Sequence, residues 1–247
     1  MTQKVGGGAC SSKHKSSRQL SAFFDLGVPM VRDAWRFDKS QWGVKLGIAA
    51  ALVLATTVFY VRALTPVTAC SDTTLLVFGI VYVVRLYGAM FLLWPRPPDW
   101  HEIPIVYVVF IPSVFYTLAR GRTDVCSAFA TASATLLYIL GSALSTISEF
   151  QRYIFKKHPS NKGRLMTTGL WVYSMHMNYF GDSLLFTGWT IASSGIGASW
   201  TWWVPIVITS LFIFMHIPGL DEYLAHRYPK EFPRYAATTA KFVPFVY

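Results

Sequence analysis

The stretch Met175-His176-Met177-Asn178-Tyr179-Phe180-Gly181-Asp182 places an imidazole, an amide, a phenol and a carboxylate inside an otherwise apolar run. Asn178 and Asp182 are four apart and share one helical face; His176 and Tyr179, three apart, fall on a neighbouring one. A carboxylate in such a setting must be paired, hydrated or protonated. Arg85, in Val84-Arg85-Leu86, poses the complementary problem. A cation in the middle of an apolar run costs about 3 kcal/mol on insertion scales, so it faces a carboxylate, a carbonyl, a cavity or a bound anion. Two roles fit these residues: a polar patch that joins helices, or a ligand site. The loop before them carries Glu149, Gln151, Arg152, Lys156, Lys157, Lys162 and Arg164. Its basic side chains suit a phosphorylated ligand, and equally anionic lipid head groups at about 1 kcal/mol each. The lipid explanation covers the lysines but not Glu149 or Gln151. Downstream, Glu222, His226 and Arg227 lie on a short amphipathic stretch that stops near Pro229. The chain then returns toward the membrane surface, ending in the aromatic run Phe242-Val243-Pro244-Phe245-Val246-Tyr247 as an interfacial anchor.

The elements that must hold these residues are apolar. The 247 residues are 53% hydrophobic and 14% charged, against roughly a quarter charged in soluble domains. Stretches at about 45–62, 74–94, 103–119, 125–148, 168–192 and 200–217 each approach the roughly 20 residues that a spanning helix needs. The expected fold is all-α: a polytopic membrane bundle of about six transmembrane helices. Loop charges orient it. Segments 1–45, 95–102, 149–167 and 218–247 carry eight, one, five and four Lys/Arg, eighteen in all, against Arg62, Arg120 and Arg122 on the other side. The positive-inside rule then puts both termini and the basic loop on one side. Three parts follow: 1–44, a basic tail and interfacial segment; 45–148, four spans; and 149–247, the basic loop, two spans and the amphipathic tail.

The net charge of +10 belongs to this topology. No nucleic-acid motif accompanies it, and membrane lipids are the expected partners. Residues 1–24 lack acids and resemble a mitochondrial presequence, so residues 1–44 are a candidate contact with other subunits of a membrane complex. The endoplasmic reticulum and the mitochondrial inner membrane both remain open. Cys10, Cys70 and Cys126 are odd in number and far apart, which suggests neither a disulfide framework nor a metal site.

From Glu149 onward the chain resembles the C-terminal region of the steroid 5-alpha-reductase-like superfamily, nearest its DUF1295 branch. Sterol reductases and isoprenylcysteine carboxyl methyltransferases are more distant. The resemblance rests on Gly169-Leu170-Trp171, on His176 and Asn178-Tyr179-Phe180-Gly181-Asp182, on Glu149-x-Gln151, on Arg85-Leu86, and on Glu222, Tyr235 and Phe242-Val243-Pro244. Met175 and Met177 stand where the family pattern has Arg and Pro. The resemblance implies a helical bundle with a cavity open to the basic side. It also implies an NADPH-dependent reductase of a lipid or sterol-like conjugated alkene. His176, Asn178, Tyr179 and Asp182 would then shape the nicotinamide pocket. Glu149, Gln151, Arg152 and Lys156 would lie toward the cofactor's polar end, and Glu222, His226 and Arg227 would close the site. Tyr82, Tyr87 and Tyr107 are the candidate proton donors. A bound phospholipid is the alternative ligand. The alternative roles are a non-catalytic accessory subunit and an S-adenosylmethionine-dependent methyltransferase.

Overall fold

The computed structural model describes residues 42–65, 67, 69–93, 98, 100–123, 127–197 and 199–246. The candidate subunit contact in 1–44 therefore lies almost wholly outside the described residues. The long helices are α1 Trp42–Leu64, α2 Asp72–Leu93, α3 Ile103–Arg120, α4 Ala128–Lys157, α5 Met177–Ser194 and α6 Trp200–Arg227. A short helix, α7 Phe232–Thr238, precedes the C-terminal tail. All of the regular structure among the described residues is helical, and the molecule is a polytopic helical bundle.

Five helices are long and apolar enough to cross a membrane: α1, α2, α3, α4 and α6. The sequence suggested about six, and the difference is α5. It has 18 residues, but its Asn, Asp, Ser and Thr content keeps it outside that set. The physical reason is placement. α5 buries eleven of its residues, among them Trp189 and Thr190 at 0% exposure. It is sheltered by the other helices rather than by lipid.

Three glycines let α5 lie directly on α4. Gly181 faces Gly141 and Ser145, Gly141 faces Leu185, and Gly188 faces Ala134 and Tyr138. The numbers rise on one helix as they fall on the other, so the pair is antiparallel. A methyl group at Gly181 or Gly188 would sit 2.6 Å from backbone of α4. This is the close approach that small residues permit between membrane helices. Two helices depart from α geometry beside prolines. Widened π turns occupy Ile103–Phe110 and Phe212–His216. Pro112 and Pro218 each lack the N–H that would bond four residues back, at Val108 and Phe214, inside these turns.

The core between α1, α2, α3 and α5 is aromatic. Trp189 meets Tyr60, Tyr82, Phe115 and Phe186 at ring separations of 5.3–6.2 Å. Its indole N–H donates to the Tyr60 hydroxyl (3.2 Å), which donates to the Leu75 carbonyl (2.9 Å). The polar atoms of the Trp189 and Tyr60 side chains are thus satisfied.

At the less basic end the connections are clamped. Arg122 donates to the Ala63 carbonyl at 2.7 Å and pairs with the fully buried Asp72 at 3.4 Å. Asp72 also accepts from the Ala69 N–H at 2.8 Å. Arg122, counted from sequence as a topology signal, is therefore also a structural part of that end. Cys70, beside this clamp, is disulfide-bonded. That corrects the sequence expectation of unpaired cysteines. Both other cysteines lie outside the described residues. Disulfide pairing depends on which loops meet in space, which wide spacing in sequence does not reveal.

Candidate functional site

The polar residues gather at the basic end of α4 and α5. Arg85 reaches from α2 between them. Its Nη2 lies 3.3 Å from Asp182 Oδ1, and its Nε donates to the Thr146 hydroxyl at 2.8 Å. Ser145 faces α5 at the neighbouring Gly181. One turn further along α4, Arg152 pairs with Glu149, and Asn178 lies near the same carboxylate. α4 and α5 thus carry two carboxylates, each held by an arginine.

The turn that enters α5 is built on Gly169, whose φ of +66° belongs to the left-handed region that favours glycine. A side chain there would also meet Gln151, whose Oε1 lies 2.5 Å from the place a Cβ would take. That oxygen accepts from the Leu170 N–H at 2.9 Å. The Trp171 indole donates to the Ser148 carbonyl at 3.0 Å, which fixes the turn against α4. From the other side the Tyr235 hydroxyl donates to the Trp171 carbonyl at 2.6 Å. Burial pushes the Tyr235 phenol above its ordinary range, so it remains a donor.

His176 is fully buried at the start of α5. Its Nε2 lies 2.9 Å from Asp221 Oδ1, and Lys241 stands 3.2 Å from the other oxygen of that carboxylate. A carboxylate accepts from an N–H, so this contact favours the tautomer with the proton on Nε2. Nδ1 then carries a lone pair, and it meets no hydrogen-bond partner among the described residues. The ring stacks near Tyr179 (5.8 Å), Tyr179 on Phe212 (4.5 Å), and His216 closes the row. An aromatic column therefore runs from α5 across to α6.

The structure brings together Glu149, Arg152, Asn178, Asp182 and Arg85, and places His176 and Tyr179 beside them. Gln151 serves the turn. Lys156 is bound to the Tyr228 hydroxyl (2.8 Å) and the Arg164 carbonyl (2.7 Å). Glu222, His226 and Arg227 are exposed at the end of α6, with Arg227 over the Tyr228 ring. The residue of α6 that reaches the cluster is Asp221. The sequence reading passed over it, although it lies four after the buried Ile217 and so shares its face. Lys241, Ser145 and Thr146 were also missed, and no spacing marked them. Of the tyrosines, Tyr87 donates to the Ala50 carbonyl at 2.6 Å and Tyr107 is buried in the core. Tyr82 packs on Phe186 and Trp189, within electrostatic reach of the Arg85–Asp182 pair. A shallow groove of about 780 Å³, lined by Cys70, Thr131, Thr135 and Ile139, lies at the opposite end and takes no part in this cluster.

The charges of the cluster are balanced. Arg85, Arg152 and Lys241 are matched one for one by Asp182, Glu149 and Asp221. Met175, in place of the family's Arg, is buried beside Leu165 and Tyr235. The arginines of this core are therefore already neutralised.

Comparison with known proteins follows the same region. A family model described as a protein of unknown function, DUF1295, matches residues 100–239. A curated protein from Ustilaginoidea virens, a probable O-methyltransferase (ustE), is 26% identical over 137 residues. That match covers 49% of this chain and 47% of the relative, so the chain spans about half of that protein's length. The family match takes in more than half of the chain and every polar contact of the α4–α5 cluster except those of Arg85 and Lys241. The chain belongs to the DUF1295 family.

Proposed function

We propose that this chain is an integral membrane methyltransferase that uses S-adenosylmethionine to methylate an oxygen of a lipophilic acceptor. The observation that carries the proposal is His176, buried and held by Asp221, with Nδ1 left as an acceptor in the protein interior. Nδ1 would take the proton of the acceptor hydroxyl while its oxygen attacks the methyl carbon, the carbon–sulfur bond breaking as the new bond forms. Asp221 would hold the imidazole in the working tautomer, and Lys241 would hold Asp221. Tyr179 and Phe212, stacked on one another, would line the sulfonium end. Glu149 and Asn178 would orient the amino-acid end. The O-methyltransferase name of the relative supports the same reading. S-adenosylmethionine supplies the methyl group; the protein's own residues position it and manage one proton.

A second reading is the NADPH-dependent reduction of a conjugated alkene. It is favoured by Tyr82, a phenol within electrostatic reach of the Arg85–Asp182 pair. One experiment separates the two. Full-length protein in nanodiscs is titrated with radiolabelled S-adenosylmethionine and, separately, with NADPH. The expected result is saturable binding of S-adenosylmethionine, retained in His176→Asn, together with methylation of long-chain phenols that this variant loses. Binding of NADPH alone would replace the proposal with the reductase. Binding of neither would favour an accessory subunit.

A further inference from the structure

The end of the chain is tied to the turn that carries His176. The Met175 N–H donates to the Ala240 carbonyl at 2.8 Å. The Ser174 hydroxyl donates to the Phe242 carbonyl at 2.8 Å. Phe242 is buried, edge-on to Phe180 at 5.9 Å. Beyond it the character changes. Phe245 and Val246 are 83% and 82% exposed, the two highest values among the large apolar side chains described. Phe245 is also the one non-glycine described with positive φ, at +66°, a costly conformation for a bulky residue. A bond from the Val246 N–H to the Val243 carbonyl closes this turn and leaves the Phe245 ring 5.5 Å from Tyr173. Val172 and Tyr173 are themselves about half exposed.

The depth of this patch follows from α4. Ser148 is twenty residues past Ala128, or about 30 Å at 1.5 Å per residue, which is the thickness of a bilayer's hydrocarbon core. Trp171 is bonded to Ser148, so Val172 and Tyr173 stand about one core thickness from the start of α4, and Phe245 stands with them. The exposed apolar stripe of α4 runs about 3 Å and 9 Å further, to Phe150 and Ile154. Two valines and two aromatic rings exposed at that depth match the interfacial zone of a phospholipid leaflet.

We propose that Val172, Tyr173, Phe245 and Val246 form a bilayer-inserted anchor that holds the C-terminal strap across the His176–Asp221 pair. The partner is the phospholipid leaflet on the basic side. The proposal does not depend on which reaction the site performs. The test uses full-length protein in phosphatidylcholine nanodiscs with the photocrosslinker p-benzoylphenylalanine at position 245 and, independently, at position 246. Position 105, a lipid-facing site on α3, and position 162, in the basic loop, serve as references. Mass spectrometry after irradiation is expected to show phospholipid adducts at 245 or 246 in a yield like that at 105 and at least about tenfold above 162. Adducts no higher than at 162, or crosslinks to a second copy of the chain in place of lipid, would overturn the anchor.

Discussion

Replacing Asp182 by Leu would leave Arg85 without its counter-ion. At 3.3 Å and an effective dielectric near 20, the attraction between the two charges is about 5 kcal/mol. Desolvation of both groups consumes much of this, and removal of one partner of such a buried pair costs about 3–5 kcal/mol. Arg85 keeps its 2.8 Å bond to Thr146, which puts the expected cost near the lower figure, about 3 kcal/mol. For a chain of this size that is a fall of about 6–12 °C in melting temperature. Replacing both residues, as Arg85→Met with Asp182→Leu, removes the buried charge altogether and should return stability to within about 1 kcal/mol of the parent. The assay is heating in detergent followed by fluorescence-detected size exclusion of the full-length protein. A single variant melting within about 2 °C of the parent, or a double variant no better than the single, would refute the view of Arg85 and Asp182 as one neutralised unit.

Gly188→Leu should abolish the close approach of α4 and α5. Overpacking of this kind costs about 1–3 kcal/mol or more, and the amount of monodisperse protein recovered from membranes should fall accordingly. Tyr235→Phe removes one buried hydrogen bond to Trp171, worth about 1 kcal/mol, and should lower the melting temperature by about 2–4 °C without changing oligomeric state on size exclusion. In denaturing gels without reductant, maleimide–polyethylene glycol should add to one cysteine of the parent chain and to all three after reduction. Three additions before reduction would exclude the Cys70 disulfide.

Much of the bundle could be read from hydropathy, because apolar runs of spanning length leave few alternatives in a bilayer. The partnership of Arg85 with Asp182 was half legible. Each residue announced that it needed a partner, but the 97 positions between them hid that they serve one another. The α4 carboxylate Glu149 and its neighbours were found through their pattern. Asp221 was not, since the adjacent Glu222 fits the same pattern and only the packing of Ile217 decides which of the two points inward. Lys241 and the strap were hidden for the same reason: a return of the chain onto an earlier turn leaves no periodicity. The Cys70 disulfide was hidden because loop proximity is a tertiary fact.

The sheltered position of α5 bears on how the protein is made. A helix with Asn178, Asp182 and a row of serines and threonines gains little from entering lipid alone. It becomes soluble in the bilayer only once α4 covers its glycine face and Arg85 neutralises its carboxylate. Synthesis delivers those two elements first, because α2 and α4 precede α5 in the chain. Insertion of α5 is therefore an act of assembly, completed against helices already in place. Substitutions along the Gly141–Gly181–Gly188 seam consequently act on biogenesis, and are felt as protein that never accumulates rather than as protein that melts early.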